Sequence, residues 1–120
     1  MSYTVFMIIA ILLFVLALPA QAKNPVASSA ESVASGAKLF SRNCQSCHGK
    51  EGKGDGLAGA KLDPKPSNLT DAEWKHGSTD PEIFQVIHDG AKNTAMKAYG
   101  SRMTEHELWD LVNYIRTLKP

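Results

Sequence analysis

The chain has 120 residues and a formal net charge of +1, from 13 basic and 12 acidic side chains. This length allows one domain, and the balanced charge excludes a strongly basic nucleic-acid-binding protein. Because 43% of the residues are hydrophobic and 21% are charged, the chain is neither disordered nor a multi-span membrane protein. Its two cysteines allow at most one disulfide bridge, one redox pair or one attachment site.

The first 22 residues predict export from the cytoplasm. They contain no Lys, Arg, Asp or Glu, and Val5 to Leu18 is an apolar run of 14 residues. Ala20 and Ala22 fit the small-x-small pattern of signal peptidase, which places cleavage before Lys23. An uncleaved anchor in the inner membrane is the alternative, although the apolar run is shorter than the roughly 20 residues of a bilayer span.

The remaining residues divide into a short tether, residues 23–28, and one domain, residues 29–120. A helix is predicted over Ser29 to Asn43, because residues 28–31 have the spacing of a capping box and apolar residues recur on one face. No segment has the alternating pattern of a strand, so the predicted fold is all-α.

Two further helices are predicted in the second half of the chain. One begins with Asp80 as N-cap and Pro81 in the first helical position, and Gly90 ends it. The other follows a capping box at residues 104–107 and carries apolar residues at helical spacing as far as Leu118.

Long loops connect these helices. Residues 49–66 hold five of the nine glycines and show no regular period. A loop of that length in so small a domain is usually wrapped around something bound. One short helical turn is predicted around Trp74, capped by residues 70–73, and residues 91–102 form a second loop that holds Met96.

The chemistry of the chain centres on Cys44-Gln45-Ser46-Cys47-His48. C-x-x-C-H is the attachment sequence of c-type haem. Each thiol adds to one haem vinyl group, and the two residues between the thiols match the distance between the vinyls. His48 is then held under the iron, where a ring nitrogen can bind the metal. One such motif predicts one haem c.

Two other sites use a Cys-x-x-Cys pair. A disulfide or thioredoxin-like redox pair requires a strand before the motif and βαβ units around it, whereas this chain is predicted to be helical. A structural zinc site requires four ligands, and a histidine directly after the second cysteine has poor geometry for binding the same ion.

A second axial ligand to the iron is predicted at Met96, which sits in an aperiodic loop where its thioether can reach inward. Histidine with methionine is an established haem ligand pair. Met103 precedes a capping threonine and suits a hydrophobic staple. The alternative ligands are Met103, His76, His88 and His106.

Together these residues resemble class I cytochrome c, a small all-helical monohaem electron carrier, over residues 36–118. Gly36 and Phe40 resemble the contact positions of its first helix, and Leu111 and Tyr114 resemble their partners on its last helix. The resemblance implies that these helices cross at Gly36 and that long loops wrap around one covalent haem.

Two loops extend the resemblance, and one position departs from it. Residues 64–70 resemble the segment that passes by the haem, and residues 90–99 resemble the methionine loop. The family usually has proline directly after the methionine, whereas this chain has Lys97, which leaves the loop backbone less restricted.

The resemblance implies a periplasmic one-electron shuttle between redox partners. Because both axial positions are filled, no substrate binds the metal, and the chain is not predicted to be an enzyme. A methionine ligand and apolar burial should both raise the reduction potential. The alternatives are a haem enzyme or gas-binding sensor, if Met96 does not bind iron, and a haem-bearing subunit of a larger oxidoreductase.

The charge pattern predicts a docking face. Basic residues follow the attachment motif and surround Met96, so a nearly neutral chain can still present one basic face to an acidic patch on a partner. The alternative is that these residues are solvated and have no partner. The predicted basic face consists of Lys50, Lys53, Lys92, Lys97 and Arg102.

Overall fold

The computed structural model describes residues 23–119, which form four α-helices and one 3₁₀ turn. No strand occurs within this range, so the all-α prediction is confirmed. In chain order the elements are α1 (Ala30–Asn43), α2 (Gln45–His48), the 3₁₀ turn (Leu57–Gly59), α3 (Asp80–Asp89) and α4 (Glu105–Thr117).

The predicted signal peptide, residues 1–22, lies outside the described residues. Within residues 23–119, none of the helices has both the length and the apolar character that are required to cross a membrane.

Hydroxyl side chains cap the N-termini of α1 and α4. The Ser29 hydroxyl accepts a hydrogen bond from the backbone N–H of Ser32 at 3.1 Å. The capping box predicted at residues 28–31 is therefore wrong by one position, because the extended backbone of the N-cap falls on Ser29. α4 begins as predicted, with Thr104 and Glu107 in a reciprocal capping box.

The start of α3 differs from the prediction. Thr79, not Asp80, is the N-cap, and it forms a reciprocal capping box with Glu82. Asp80 occupies the first helical position, where its carboxylate accepts a hydrogen bond from Arg116 of α4 at 2.5 Å. The prediction is wrong because the preceding hydroxyl caps the helix, which leaves the aspartate free to form this long-range ion pair. The helix ends at Gly90, as predicted.

The helical turn predicted around Trp74 is also wrong. Residues 70–77 form turns and bends without helix. The backbone N–H of Trp74 donates to the Ser78 hydroxyl at 2.9 Å, and that of Gly77 donates to the Trp74 carbonyl at 3.2 Å. The positive φ of Gly77 (+107°) reverses the chain before a helix can develop.

α1 and α4 cross at Gly36, as predicted. A Cβ atom placed on Gly36 would overlap the backbone carbonyl of Asp110 and lie 2.7 Å from Cβ of Tyr114. One turn further along α1, the ring of Phe40 packs against that of Tyr114, with centroids 5.2 Å apart. The core therefore depends on a helix contact that leaves no room for a side chain.

A buried polar cluster joins the N-terminal segment to both crossing helices. Asn113 donates to the carbonyls of residues 26–27 at 3.1 and 3.2 Å and accepts from Asn24 at 2.7 Å. The Ser32 hydroxyl donates to Asp110 at 2.6 Å and accepts from Asn113 at 2.9 Å. The segment predicted as a tether is thus hydrogen-bonded to α4.

Candidate haem site

A cleft beside the crossing helices is lined by residues from all four helices and from three loop segments. Its empty volume, counted out to its open mouth, is about 1350 Å³. The lining comes from the end of α1, α2, segments 62–69 and 74–77, α3, segment 91–99 and Ile115 of α4.

Cys44 and Cys47 line this cleft as free thiols. Cys44 is the C-cap of α1 and the N-cap of α2, so the two cysteines lie one helical turn apart on a continuous piece of backbone. Burial raises the pKa of the Cys44 thiol to about 12, and the charge of Cys47 adds to this effect. The Cys44 thiol is therefore protonated at neutral pH.

His48 lines the same cleft, and its ring orientation is fixed. Nδ1 lies 3.0 Å from the backbone carbonyl oxygen of Ser67, so the proton sits on Nδ1 and the lone pair on Nε2. Burial lowers the pKa of His48, and the bond to Ser67 partly opposes this shift. A neutral imidazole with one nitrogen donating to a carbonyl is the form in which histidine usually binds metals.

The glycine-rich loop folds back on the attachment motif. The N–H groups of Gly54 and Gly56 donate to the carbonyls of His48 and Cys47 at 2.7 and 3.1 Å. Gly49 makes this return possible because it has φ +86°, a backbone conformation that favours glycine. The loop thereby satisfies carbonyls that a four-residue helix leaves without partners.

Met96 approaches the cleft from a separate loop and is half-buried there. Its backbone N–H donates to the Thr94 hydroxyl at 3.1 Å, and its carbonyl accepts from Ala91 at 3.3 Å. The loop is therefore closed on itself around the methionine. The structure brings all four predicted site residues to one cleft: Cys44, Cys47, His48 and Met96.

The alternative axial ligands are distributed differently. His76 is exposed but contributes to the cleft lining. Met103 lies in a separate groove and does not line the cleft. His88 and His106 do not line the cleft, and each ring nitrogen Nδ1 contacts a neighbouring aspartate, at 2.6 and 3.2 Å.

The charged side chains that line the cleft are lysines. Lys65, Lys75 and Lys97 are exposed at its edge, and no Asp or Glu belongs to the lining within residues 23–119. Lys53 is instead paired with Glu51 at 3.0 Å. Of the predicted basic face, only Lys97 lines the cleft, whereas four residues do not: Lys50, Lys53, Lys92 and Arg102.

Trp74 tests whether the cleft suits a haem. Its indole N–H is buried and has no acceptor within residues 23–119, an arrangement that costs roughly 1–3 kcal/mol. Lys119 lies 4.3 Å from the ring centre and donates to the Ala72 carbonyl at 2.6 Å, which holds the indole at the cleft. A haem carries two carboxylates, the kind of acceptor that the indole lacks, so the group fits.

The resemblance placed residues 64–70 beside the haem, but no individual role was predicted for three residues of the cleft: Ser67, Lys65 and Lys75. Their side chains could not be placed by a helical or strand pattern, because the loops that carry them have no regular period. The available signal was the pair of prolines at 64 and 66, which restricts the backbone next to the residue that orients His48.

An all-α domain whose C-x-x-C-H motif lines a cleft of this kind is a cytochrome c domain, and its cofactor is one haem c. The family described as "Cytochrome C oxidase, cbb3-type, subunit III" matches residues 31–115, and the chain belongs to this family. It is a monohaem electron-transfer domain.

Curated relatives agree with this membership. The chain is 37% identical over 83 residues to the cbb3-type cytochrome c oxidase subunit FixP of Azorhizobium caulinodans, which covers 69% of this chain and 26% of FixP. It is 36% identical to cytochrome c6 of Thermostichus vulcanus, over 89% of this chain and 82% of that protein. The chain therefore spans about a quarter of the oxidase subunit but most of the small cytochrome.

A solved structure supports the fold. The KustC0563 c-type cytochrome superposes with a TM-score of 0.57 at 30% identity, over 71% of this chain and 98% of that one. The resemblance to class I c-type cytochromes is thus confirmed.

Proposed function

We propose that this domain is a one-electron carrier in which Cys44 and Cys47 hold the haem through thioether bonds and His48 and Met96 bind its iron. The observation that carries the proposal is the convergence of these four side chains on one cleft from two separate segments. If His48 and Met96 both bind the iron, no coordination position remains for a substrate.

The bound haem supplies the Fe(II)/Fe(III) couple, and the chain sets the conditions for it. Ser67 fixes the ring of His48, whose free lone pair on Nε2 suits a metal. The thioether of Met96 favours the ferrous state, and the apolar side chains of the cleft disfavour the extra charge of the ferric state. We expect a raised reduction potential and little movement on electron transfer.

Met96 is favoured over His76 as the second ligand. Met96 is half-buried and lies in a loop whose backbone is closed by internal hydrogen bonds. His76 is exposed, so binding the iron would require its ring to leave water, whereas Met96 is already half-buried. Met103 does not line the cleft and contributes instead to a second groove.

We propose that the electron leaves through the lysine-lined edge of the cleft. Lys65, Lys75 and Lys97 give this edge a positive potential while the whole chain carries only +1. Such a dipole orients the domain before contact and favours a partner with an acidic patch. Lys53 contributes less to this field, because Glu51 neutralises it.

A charge-reversal experiment tests this docking edge. Lys97→Glu should slow bimolecular electron transfer to an acidic redox partner, leave the visible spectrum unchanged and flatten the dependence of the rate on ionic strength, since screening acts over about 10 Å at 0.1 M salt. Lys38→Glu, an exposed lysine on α1 outside the cleft lining, is the control. Equal electron-transfer rates for the two variants would show that the partner docks at another surface.

We propose export for the chain, with residues 1–22 as a signal peptide and the domain in the periplasm. The apolar run and the small residues before Lys23 support this, as does the covalent haem attachment, which takes place outside the cytoplasm. The alternative is that residues 1–22 anchor the domain to the inner membrane. Mass spectrometry of the mature protein distinguishes these two forms.

Carbon monoxide separates the electron carrier from a haem enzyme or gas sensor. If Met96 fills the sixth position, the ferrous protein should not form a carbon monoxide complex at neutral pH, and a redox titration should fit one electron. A carbon monoxide complex of the native ferrous protein would instead favour a gas-binding or catalytic function.

A second candidate function is electron transfer within a larger oxidase. The observation that favours it is the match to a segment of FixP, a subunit of a cbb3-type cytochrome c oxidase. In that case the domain should co-purify with oxidase subunits from native membranes in mild detergent. A freely migrating protein of about the size of the domain would favour the mobile carrier.

A further inference from the structure

The methionine loop is tied to the attachment helix by one side chain. The Tyr99 hydroxyl donates a hydrogen bond to the backbone carbonyl of Asn43 at 3.0 Å. Asn43 is the last residue of α1 and directly precedes Cys44. Tyr99 follows Met96 by three residues, is only 9% exposed and lines the cleft. This bond therefore connects the two segments between which the haem is held.

The other hydrogen bonds of the loop do not reach the attachment segment. The backbone N–H groups of Tyr99 and Gly100 donate to the carbonyls of Ile87 and His88 at 2.9 and 3.0 Å, which fixes the end of the loop on α3. The remaining bonds around Met96 are internal to the loop. Within residues 23–119, the Tyr99 hydroxyl makes the hydrogen bond that joins segment 91–102 to α1.

The hydrogen bond from Tyr99 supplies a partner that the helix end would otherwise lack. The last four carbonyls of a helix have no partner inside the helix, and the Asn43 carbonyl is one of them. The bond is partly buried, and an acceptor that is shielded from water loses more when its donor is removed than one that is fully exposed. Burial raises the pKa of the Tyr99 phenol, so the hydroxyl keeps its proton and remains a donor throughout the neutral range.

We propose that Tyr99 is a positioning residue for the iron ligand Met96. Its hydroxyl bond to Asn43 holds the loop that carries the thioether against the helix end that carries Cys44. Because Lys97 follows the methionine, the backbone there lacks the restriction that a proline would provide, and a side-chain tie takes on this role. The inference rests on the proposed binding of the iron by Met96.

The test is the binding of imidazole to the ferric holoprotein of the Tyr99→Phe variant. Imidazole can bind the iron only when Met96 has left it, so its apparent affinity reports the population of the loop-open state. Loss of one hydrogen bond should raise that population, and therefore the apparent imidazole affinity, about threefold to tenfold. The potential should fall as well, because the ferrous state loses part of its preferred ligand.

Tyr114→Phe is the matched control. Tyr114 packs against Phe40 at the helix crossing and does not line the cleft, so the variant loses a hydroxyl without freeing the loop. Its imidazole affinity should equal that of the unmodified protein. Tyr99→Phe should also leave the far-ultraviolet circular dichroism unchanged, because the phenyl ring fills the same space.

Two outcomes overturn the inference, and they differ. In the first outcome, Tyr99→Phe and the unmodified protein bind imidazole equally well, while Met96→Ala removes the weak far-red sulfur-to-iron band. This result would contradict the positioning role of Tyr99 and leave the proposed function intact. In the second outcome, Met96→Ala leaves the far-red band or the imidazole affinity unchanged. This result would contradict the proposed binding of the iron by Met96. The inference requires that Tyr99→Phe has no further effect on imidazole binding in the Met96→Ala background.

Discussion

The backbone of Gly36 on α1 lies so close to the carbonyl of Asp110 on α4 that a single methyl group would overlap it. This contact sets the crossing of the two helices, and the crossing sets one wall of the haem cleft. Phe40 and Ile115, one turn or more away on the two helices, line that wall. Both the stability of the domain and the shape of its cofactor site therefore depend on Gly36.

Substitutions at Gly36 should destabilise the domain, although replacing a glycine inside a helix usually stabilises it. Gly→Ala inside an exposed helix is normally stabilising by up to about 1 kcal/mol, whereas Gly36→Ala should lower the free energy of unfolding by about 1–3 kcal/mol through overpacking. Gly36→Val should cost more. Ala34→Val, on the exposed face of α1, should cost less than about 0.7 kcal/mol. Urea unfolding curves measure all three, and a stabilised Gly36→Ala would contradict the close crossing.

The thioether attachment makes a prediction for mass spectrometry. Protein isolated from the periplasm should have the mass of residues 23–120 plus one haem, and the haem should stay bound through acid–acetone extraction. Replacing both Cys44 and Cys47 with alanine should leave the haem extractable. A bare polypeptide mass would contradict haem attachment, and retention of residues 1–22 would support the membrane anchor.

The buried polar cluster predicts that removing the Ser32 hydroxyl lowers the free energy of unfolding. Ser32→Ala removes a donor to Asp110 and an acceptor for Asn113 in a region that is almost closed to water. Leaving both partners short of a hydrogen bond should lower the free energy of unfolding by about 1–3 kcal/mol. Ser41→Ala, on the exposed side of the same helix, should stay within about 0.5 kcal/mol. Equal effects in thermal unfolding would mean that the cluster contributes nothing specific.

The capping box of α3 predicts a pH dependence of stability. Hydrogen bonds from the backbone N–H groups of Thr79 and Ser78 hold the pKa of the Glu82 carboxyl below its usual range. A lowered pKa in the folded state means that this contribution is complete above the unfolded value, about 4.3, and is lost as the pH falls through the folded value.

Glu82→Gln should therefore destabilise the domain at pH 7, and the difference from the unmodified protein should shrink below about pH 4. Urea midpoints at the two pH values measure this. Glu105→Gln, which changes a first-turn glutamate of α4 outside a capping box, is the control. A difference that stays constant with pH would show that the carboxylate does not act through these bonds.

The parts of the fold that were predicted correctly depend on local sequence. The attachment motif is a fixed spacing of five residues, and the end of α3 at Gly90 is a single-residue signal. Both can be identified without knowing what packs against them. The helix crossing at Gly36 was instead implied by the resemblance to class I cytochrome c, in which a residue of the first helix meets a partner on the last.

The errors arose where several local solutions were possible and a distant residue decided between them. Thr79 and Asp80 can both cap α3, and Arg116 of α4, 36 positions away, engages the aspartate. Ser67 orients His48 across 19 positions, and Lys65 reaches the cleft through a loop that has no period. The composition of the cleft edge therefore required the structure.

The most direct test of the account is the far-red sulfur-to-iron band of the ferric protein, measured in parallel in Met96→Ala and Met103→Ala. Met96→Ala should abolish the band, lower the potential and let the ferrous protein bind carbon monoxide. Met103→Ala should keep the band and reduce only stability, by less than the roughly 2–5 kcal/mol of a fully buried methionine, since Met103 is only partly buried. Loss of the band in Met103→Ala and its retention in Met96→Ala would contradict the proposed ligand set.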